Sequence, residues 1–432
     1  MKEFLSLRTA TDAVVEGLSR GYSIGVVGVP GSGKSTVVKD SFARLAESRN
    51  ADSVLVLTPN REHADGLRDE LKSPVRSSAT ARSVHSYAFG IVAAHTATST
   101  GVPALFISGA DQDVRLTEQL QGYFDGTVAG PTWTTSMTTE LAHTDVFRTQ
   151  LRDSISEIMG HDFSYDHIIE LARIHNRPEW EVLSFIGREY EELLTYWGDG
   201  AVDTSAVFTK AKHIVEESSV VPGSTWDFAP EILPAWILCD SVQDFPDSAL
   251  GFLRALYQRG VCFAFTCSPD SATQSFRGGS GDVFAGRHQL GVHTDIVLDP
   301  HDSNIRGAGA ITRTVDSLMR SSADPIHALG YMAPQGNAEG SSQVFTCECS
   351  SGSNAARKIA AMIYDRHQDG VPFADIAVVT RRASSAAQLS EELAACGIPV
   401  RTPARALGSD PATLPLLQVL SLSPDSADWP QV

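Results

Sequence analysis

Gly28-Val29-Pro30-Gly31-Ser32-Gly33-Lys34-Ser35 is the stretch on which the fold of this chain turns. It has the spacing GxxxxGK[ST] and lies between two unlike patterns. Before it, Tyr22 to Val29 (YSIGVVGV) is short, apolar and rich in β-branched residues, as a buried strand is. After it, Ser35 to Glu47 (STVVKDSFARLAE) repeats apolar positions at helical spacing, and Ser53 to Leu57 (SVLVL) is strand-like again. Strand, helix and strand in this order predict a βαβ unit and hence an α/β fold built on a parallel sheet. The loop in that setting is a P-loop. Gly28, Gly31 and Gly33, with Pro30 and Ser32, let backbone amides close around phosphates, and the helix N-terminus adds partial positive charge through Ser35 and Thr36. Lys34 is expected to reach the β- and γ-phosphates of ATP, and the Ser35 hydroxyl to ligate Mg²⁺.

Such a site needs an acidic partner at the end of a neighbouring strand. Ala235 to Cys239 (AWILC) and Val261 to Thr266 (VCFAFT) are strand-like and flank a helical stretch around Ala249 to Tyr257. Asp240 follows the first of them directly, where its carboxylate can meet the Mg²⁺ held by Ser35. Between the two α/β stretches, about Thr96 to Ser218, the patterns at Asp111 to Tyr123 and Glu179 to Tyr196 are helical and strand signals are few, so an inserted helical domain is expected. A Gly-rich passage, Arg277 to Arg287 (RGGSGDVFAGR), suggests a boundary near Ala285. Beyond it, Gln343 to Cys349 is strand-like, Asn354 to His367 helical, and Ile376 to Thr380 strand-like.

Composition bounds the function. With 432 residues the chain is long enough for two or three domains, and 42% hydrophobic with 20% charged residues is the balance of a soluble globular protein. No apolar run approaches a membrane span and Met1 to Gly21 lacks a secretory pattern, so no membrane partner and a cytoplasmic location are expected. The six cysteines include no CxxC pair, and neither a disulfide framework nor a metal site made of protein side chains alone is indicated; they read as thiols in or beside apolar strands. A net charge of −18 argues against a broad basic face that coats nucleic acid, but leaves room for a local cleft that grips a few nucleotides by backbone amides, hydroxyls and stacking aromatics.

The order of the P-loop, LTPN (Leu57 to Asn60), SVHSYA (Ser83 to Ala88), ILCDSVQD (Ile237 to Asp244), SPDSATQSFRGG (Ser268 to Gly279) and DIAVVTRR (Asp375 to Arg382) resembles the UvrD/Rep-type DNA helicases of superfamily one. SVHSYA together with RPEW (Arg177 to Trp180) and the FRGG ending is similar to motor subunits of actinobacterial helicase–nuclease complexes of the RecBCD/AddAB type, which act in DNA repair and recombination. The resemblance implies a first RecA-like domain from residues 1–95 and 219–284, a helical accessory insert at 96–218, and an incomplete second RecA-like domain at 285–432. It implies single-stranded or end-containing DNA as a partner, and a second helicase–nuclease subunit. It also implies DNA contacts at Thr58, His85, Tyr87, Phe276 and Arg277, and at Arg306 an arginine that reaches the γ-phosphate.

The departures from that family are as informative. The strand-end motif has Asp-Glu in the family, the Glu polarising the attacking water; here Ser241 follows Asp240. The glutamine that senses the γ-phosphate is Ser271, the adenine-reading glutamine falls near Ala10 or Thr11, and Ile305 stands for the aromatic over the base. The sequence stops at Val432 before a later DNA-contacting motif and an arginine-finger helix. A positioned base contributes about 10²- to 10⁴-fold and an arginine finger about 10³- to 10⁵-fold, so little turnover is expected from this chain alone. Two other readings stay open: an active translocase completed by a partner chain, with Asp244 or a partner carboxylate as the base, and a P-loop kinase of small molecules.

Overall fold

A computed structural model describes residues 4–48, 53–71, 80–196, 200–217, 221–223, 232–273, 282–298, 310, 311, 314, 317, 343–349 and 351–401. The strands are β1 (Phe4–Leu5), β2 (Ser23–Val27), β3 (Val54–Thr58), β4 (Ala81–Ser83), β5 (Leu105–Ile107), β6 (Ala201–Asp203), β7 (Val221–Gly223), β8 (Ile232–Pro234), β9 (Trp236–Cys239), β10 (Cys262–Cys267) and β11 (Val292–Leu298). The helices are α1 (Leu7–Ser19), α2 (Lys34–Ser48), α3 (Arg61–Glu70), α4 (Val84–Thr100), α5 (Gly109–Phe124), α6 (Thr139–Ala142) and α7 (Asp145–Gly160). They continue with α8 (Tyr165–Ile174), α9 (Glu179–Tyr196), α10 (Val207–Glu217), α11 (Ala249–Gln258), α12 (Asp282–Ala285), α13 (Gly352–Gln368) and α14 (Ala383–Ala395). The chain divides into two compact units, Met1–Gln343 and Val344–Val432.

The first unit is organised by a seven-stranded sheet in the order β1-β11-β2-β10-β9-β3-β4, with every neighbouring pair parallel. Parallel strands are buried on both faces, which is why they read as continuous apolar runs. The period of two divides them cleanly. Leu55, Leu57, Ile237, Cys239, Phe263 and Phe265 join a core with α4, α10 and α11, while Val54, Val56, Trp236, Leu238 and Ala264 face α1, α2 and α3. Helix starts follow from side-chain caps: Ser6 accepts from Thr9 N, Asn60 from His63 N and Ser83 from Ser86 N.

β3 and β9 are adjacent, Val54 opposite Trp236, although the chain between β4 and β9 is mostly helical. There α5, α7 and α9 pack around Leu116, Leu120, Phe147, Leu151, Ile186 and Tyr190. Among the described residues that stretch also holds two short parallel pairs, β5 with β6 and β7 with β8, and the first lies among helical patterns that concealed it. The sheet runs past the boundary expected at Ala285: β11 pairs between β1 and β2, with Val297 opposite Val27. The run Val292–Leu298 that follows the Gly-rich passage in sequence is thus a strand of this same sheet.

In the second unit α13 and α14 share a small core of Ala360, Ile363, Leu393 and Ile398. Gln343 to Cys349 and Ile376 to Thr380, expected as strands, are not strands among the described residues, and Phe345 and Val379 are exposed. An apolar β-branched run becomes a strand only where a neighbour supplies ladder partners. Among the described residues no helix is long and apolar enough to cross a membrane.

Candidate functional site

Parallel strands direct their carboxyl ends to one edge of a sheet, and ligands of open α/β sheets gather at that edge. Here the register places Cys267 beside Val27, and Cys239 beside both Phe265 and Leu57. The residues that follow β2, β3, β9 and β10 consequently meet.

After β2 the chain turns through Gly31 and Gly33, both in the left-handed region with φ of 82° and 86°. A Cβ at Gly28 would lie 2.2 Å from Ser32 Oγ, so a side chain there would force Ser32 to move. Lys34 Nζ donates to Gly28 O and Val29 O, 2.9 Å each, and so ties the loop to the start of α2. Burial lowers its pKa to about 8, with Asp240 pulling the other way.

Asp240 is fully buried and shared by three donors. Thr266 Oγ1 donates to Oδ1 at 2.6 Å, Ser35 Oγ donates to Oδ2 at 2.7 Å, and His63 Nε2 lies 3.3 Å from Oδ2. Burial pushes this carboxyl up, but the hydrogen bonds from His63, Thr266 and Ser35 outweigh it and hold it below the usual carboxylate range. His63 is shifted upward by its hydrogen bond to Asp240, with burial opposing. A buried ionised carboxylate on a Ser hydroxyl beside a phosphate loop is a donor set suited to a hard divalent cation. Among the described residues no group of three or more His, Cys, Asp or Glu side chains could hold a metal by itself, so phosphates would have to complete the shell.

Ser241 takes the left-handed conformation, φ 59° and ψ 49°, and its N–H donates to Thr266 Oγ1 at 3.1 Å. Position 241 offers a hydroxyl and no carboxylate. The nearest alternative along the chain, Asp244, is held by Thr273 N at 3.0 Å and Gln243 Nε2 at 3.2 Å. Gln243 in turn accepts from Ser268 N at 3.0 Å, and Ser271 Oγ donates to Ser268 O at 3.1 Å. Ala10 and Thr11 are buried in α1, where Thr11 Oγ1 donates to Leu7 O.

The residues expected to touch DNA are not all on the surface. Thr58 is fully buried and its hydroxyl donates to Asn60 O at 2.8 Å; Tyr87 is buried with its ring 5.9 Å from that of Phe252. In this conformation neither side chain faces solvent. His85 is exposed, tilted against Phe208 with ring centroids 4.6 Å apart. Phe276, Arg277, Ile305 and Arg306 lie outside the described residues. Sequence reading missed His63 and Thr266. Thr266 could have been found, since it is the last residue but one of the strand beside β9; His63 carries no local signal and is identified only by its distance to Asp240. A cavity of about 680 Å³ against Met159, Glu191 and Lys210 lies in the helical region and shares no residue with this site.

A family model described as UvrD/REP helicase N-terminal domain matches residues 10–286, more than half of the chain. No curated protein matches the sequence.

Proposed function

Because this chain belongs to the UvrD/REP helicase family, we propose that it binds Mg·ATP at Gly28 to Ser35, grips single-stranded DNA at the same sheet edge, and hydrolyses little ATP because Ser241 stands where the family has Glu. Family membership implies ATP-dependent DNA helicase activity, with use of a nucleotide and a divalent metal, and DNA as partner.

In this reading the Lys34 ammonium, which bonds the carbonyls of Gly28 and Val29 at the mouth of the loop, would bind phosphate oxygens. Amides of the loop through Ser35 and Thr36 complete the cradle. Ser35 and Asp240 would hold the cation, which when bound would neutralise charge on the phosphates. Thr266 keeps Asp240 aimed by occupying its other oxygen.

The observation that carries the impaired turnover is the pair Asp240–Ser241: a buried carboxylate for the cation, followed by a residue that cannot take a proton from water. A positioned base contributes about 10²- to 10⁴-fold. Asp244 is a poor substitute, since both its oxygens are hydrogen-bonded to Thr273 N and Gln243. For DNA we assign His85 as the surface contact, Thr58 and Tyr87 as buried residues of the same motifs, and Phe276 with Arg277 as a stacking element. Arg306 is our candidate for the γ-phosphate. SVHSYA, RPEW and FRGG support reading the chain as a motor subunit of a helicase–nuclease complex for DNA-end repair and recombination, working beside a second subunit. Residues 96–218 serve as its accessory insert.

Calorimetry of ATP with and without Mg²⁺ tests the site. Binding should need the cation and be weakened in Lys34→Ala; equal binding by both forms, or none by the unmodified chain, removes this reading.

A further inference from the structure

We propose that His63 is a third protein ligand of the nucleotide-bound cation, and that it turns the site's preference from Mg²⁺ toward a first-row transition cation of the Mn²⁺ class. The proposal rests on Gly28 to Ser35 and Asp240 being the nucleotide and cation site.

His63 is brought there by backbone structure. Asp240 N donates to Leu57 O at 2.9 Å, fixing the end of β9 against the end of β3. Asn60 then starts α3 by accepting from His63 N at 2.9 Å, which sets the first turn of that helix beside Asp240. The result is that His63 Nε2 and Ser35 Oγ approach the same carboxylate oxygen, at 3.3 Å and 2.7 Å. Two ligands of a small divalent cation bound at right angles, each about 2.1 Å from it, lie roughly 3 Å apart. The two spacings bracket that value, so Oγ with Oδ2 and Oδ2 with Nε2 each have the separation of neighbouring ligands on one cation. The imidazole is two-thirds covered by protein, with 33% of its side chain exposed, so little water has to leave it.

The donor set differs in kind from one of oxygens alone. Mg²⁺ demands hard oxygen ligands and gives up water reluctantly. A ring nitrogen strengthens binding of first-row cations according to their position in the series from Mn²⁺ to Cu²⁺. The proposed cation is shared between these side chains and the nucleotide, so its identity is read through ATP binding.

The experiment uses the full chain with ATP and either Mg²⁺ or Mn²⁺, at one fixed pH for all samples. Electron spin-echo modulation of bound Mn·ATP should show ¹⁴N coupling that disappears in His63→Ala and His63→Gln. Calorimetry should show the ratio of Mn²⁺- to Mg²⁺-supported ATP affinity falling at least about tenfold in both variants. Bound Mn·ATP without ¹⁴N coupling in the unmodified chain overturns the proposal and leaves the Mg·ATP site standing, and it does so whether or not the variants fold. An unchanged affinity ratio in folded variants overturns it equally. Failure of ATP to bind with either cation removes both the site and the inference.

Discussion

Replacing Thr266 by Val keeps the volume of a buried side chain and deletes one hydroxyl. Thr266 is 1% exposed, and that hydroxyl does two things: it donates to Asp240 Oδ1 at 2.6 Å and accepts from Ser241 N at 3.1 Å. A hydrogen bond to a charged group contributes about 1.5–3 kcal/mol, and a buried donor left unpaired costs about 1–3 kcal/mol, part of which the half-buried Ser241 N–H recovers from water. The expected loss is about 2–4 kcal/mol at neutral pH. It should appear as a lower urea midpoint at unchanged slope, followed by far-ultraviolet circular dichroism. Asp240 has a lowered folded pKa, so the stability it contributes is present above its unfolded value and lost as pH falls through the folded value. The Thr266→Val penalty should therefore shrink in acid, and it should also collapse in an Asp240→Ala background. A loss under about 0.5 kcal/mol, or the same loss with Asp240 already removed, would refute the view that Thr266 aims this carboxylate.

His63 has a raised folded pKa, so its contribution is complete below the unfolded value of 6.5 and is lost as pH rises through the folded one. Thermal unfolding of the nucleotide-free chain should lose stability over that rise, and His63→Ala should flatten the curve; parallel curves count against the contact. His85→Ala should weaken single-stranded DNA binding by about 1–3 kcal/mol if the exposed ring stacks on a base. Fluorescence anisotropy at fixed salt reads this, and unchanged affinity removes His85 from the interface. Tyr87→Phe should leave that affinity alone, because the ring is core packing against Phe252, whereas Tyr87→Ala should cost about 3–5 kcal/mol of stability. A DNA defect in Tyr87→Phe would show that the hydroxyl is reached after all.

What could be read from the sequence was local. The spacing from Gly28 to Ser35 between a β-branched run and a helical run decides a strand–loop–helix unit, and Asp240 directly after AWILC marks a strand end. Glu179 to Tyr196 was legible as a helix to the residue. What escaped depends on contacts between distant segments. His63 meets Asp240 only because β3 and β9 pair in parallel register. Thr58 and Tyr87 carry polar groups suited to DNA, yet nothing nearby in the sequence says that Thr58 O–H is spent on Asn60 O or that Tyr87 is covered by Phe252. The Gly-rich passage before Arg287 looked like a boundary because glycine marks a turn without saying which sheet the next strand joins; Val292–Leu298 joined the first. The runs at 343–349 and 376–380 had strand composition, but a ladder is a property of two segments.

The central claim is that this chain holds ATP and a divalent cation but lacks the group that activates water. Phosphate release with saturating single-stranded DNA, measured in the same samples in which calorimetry has established cation-dependent ATP binding, tests it most directly. The account predicts bound nucleotide with no DNA-stimulated release above background. Binding accompanied by robust DNA-stimulated release from the unmodified chain would contradict it, and would mean that a carboxylate other than one at position 241, Asp244 first among them, performs the step.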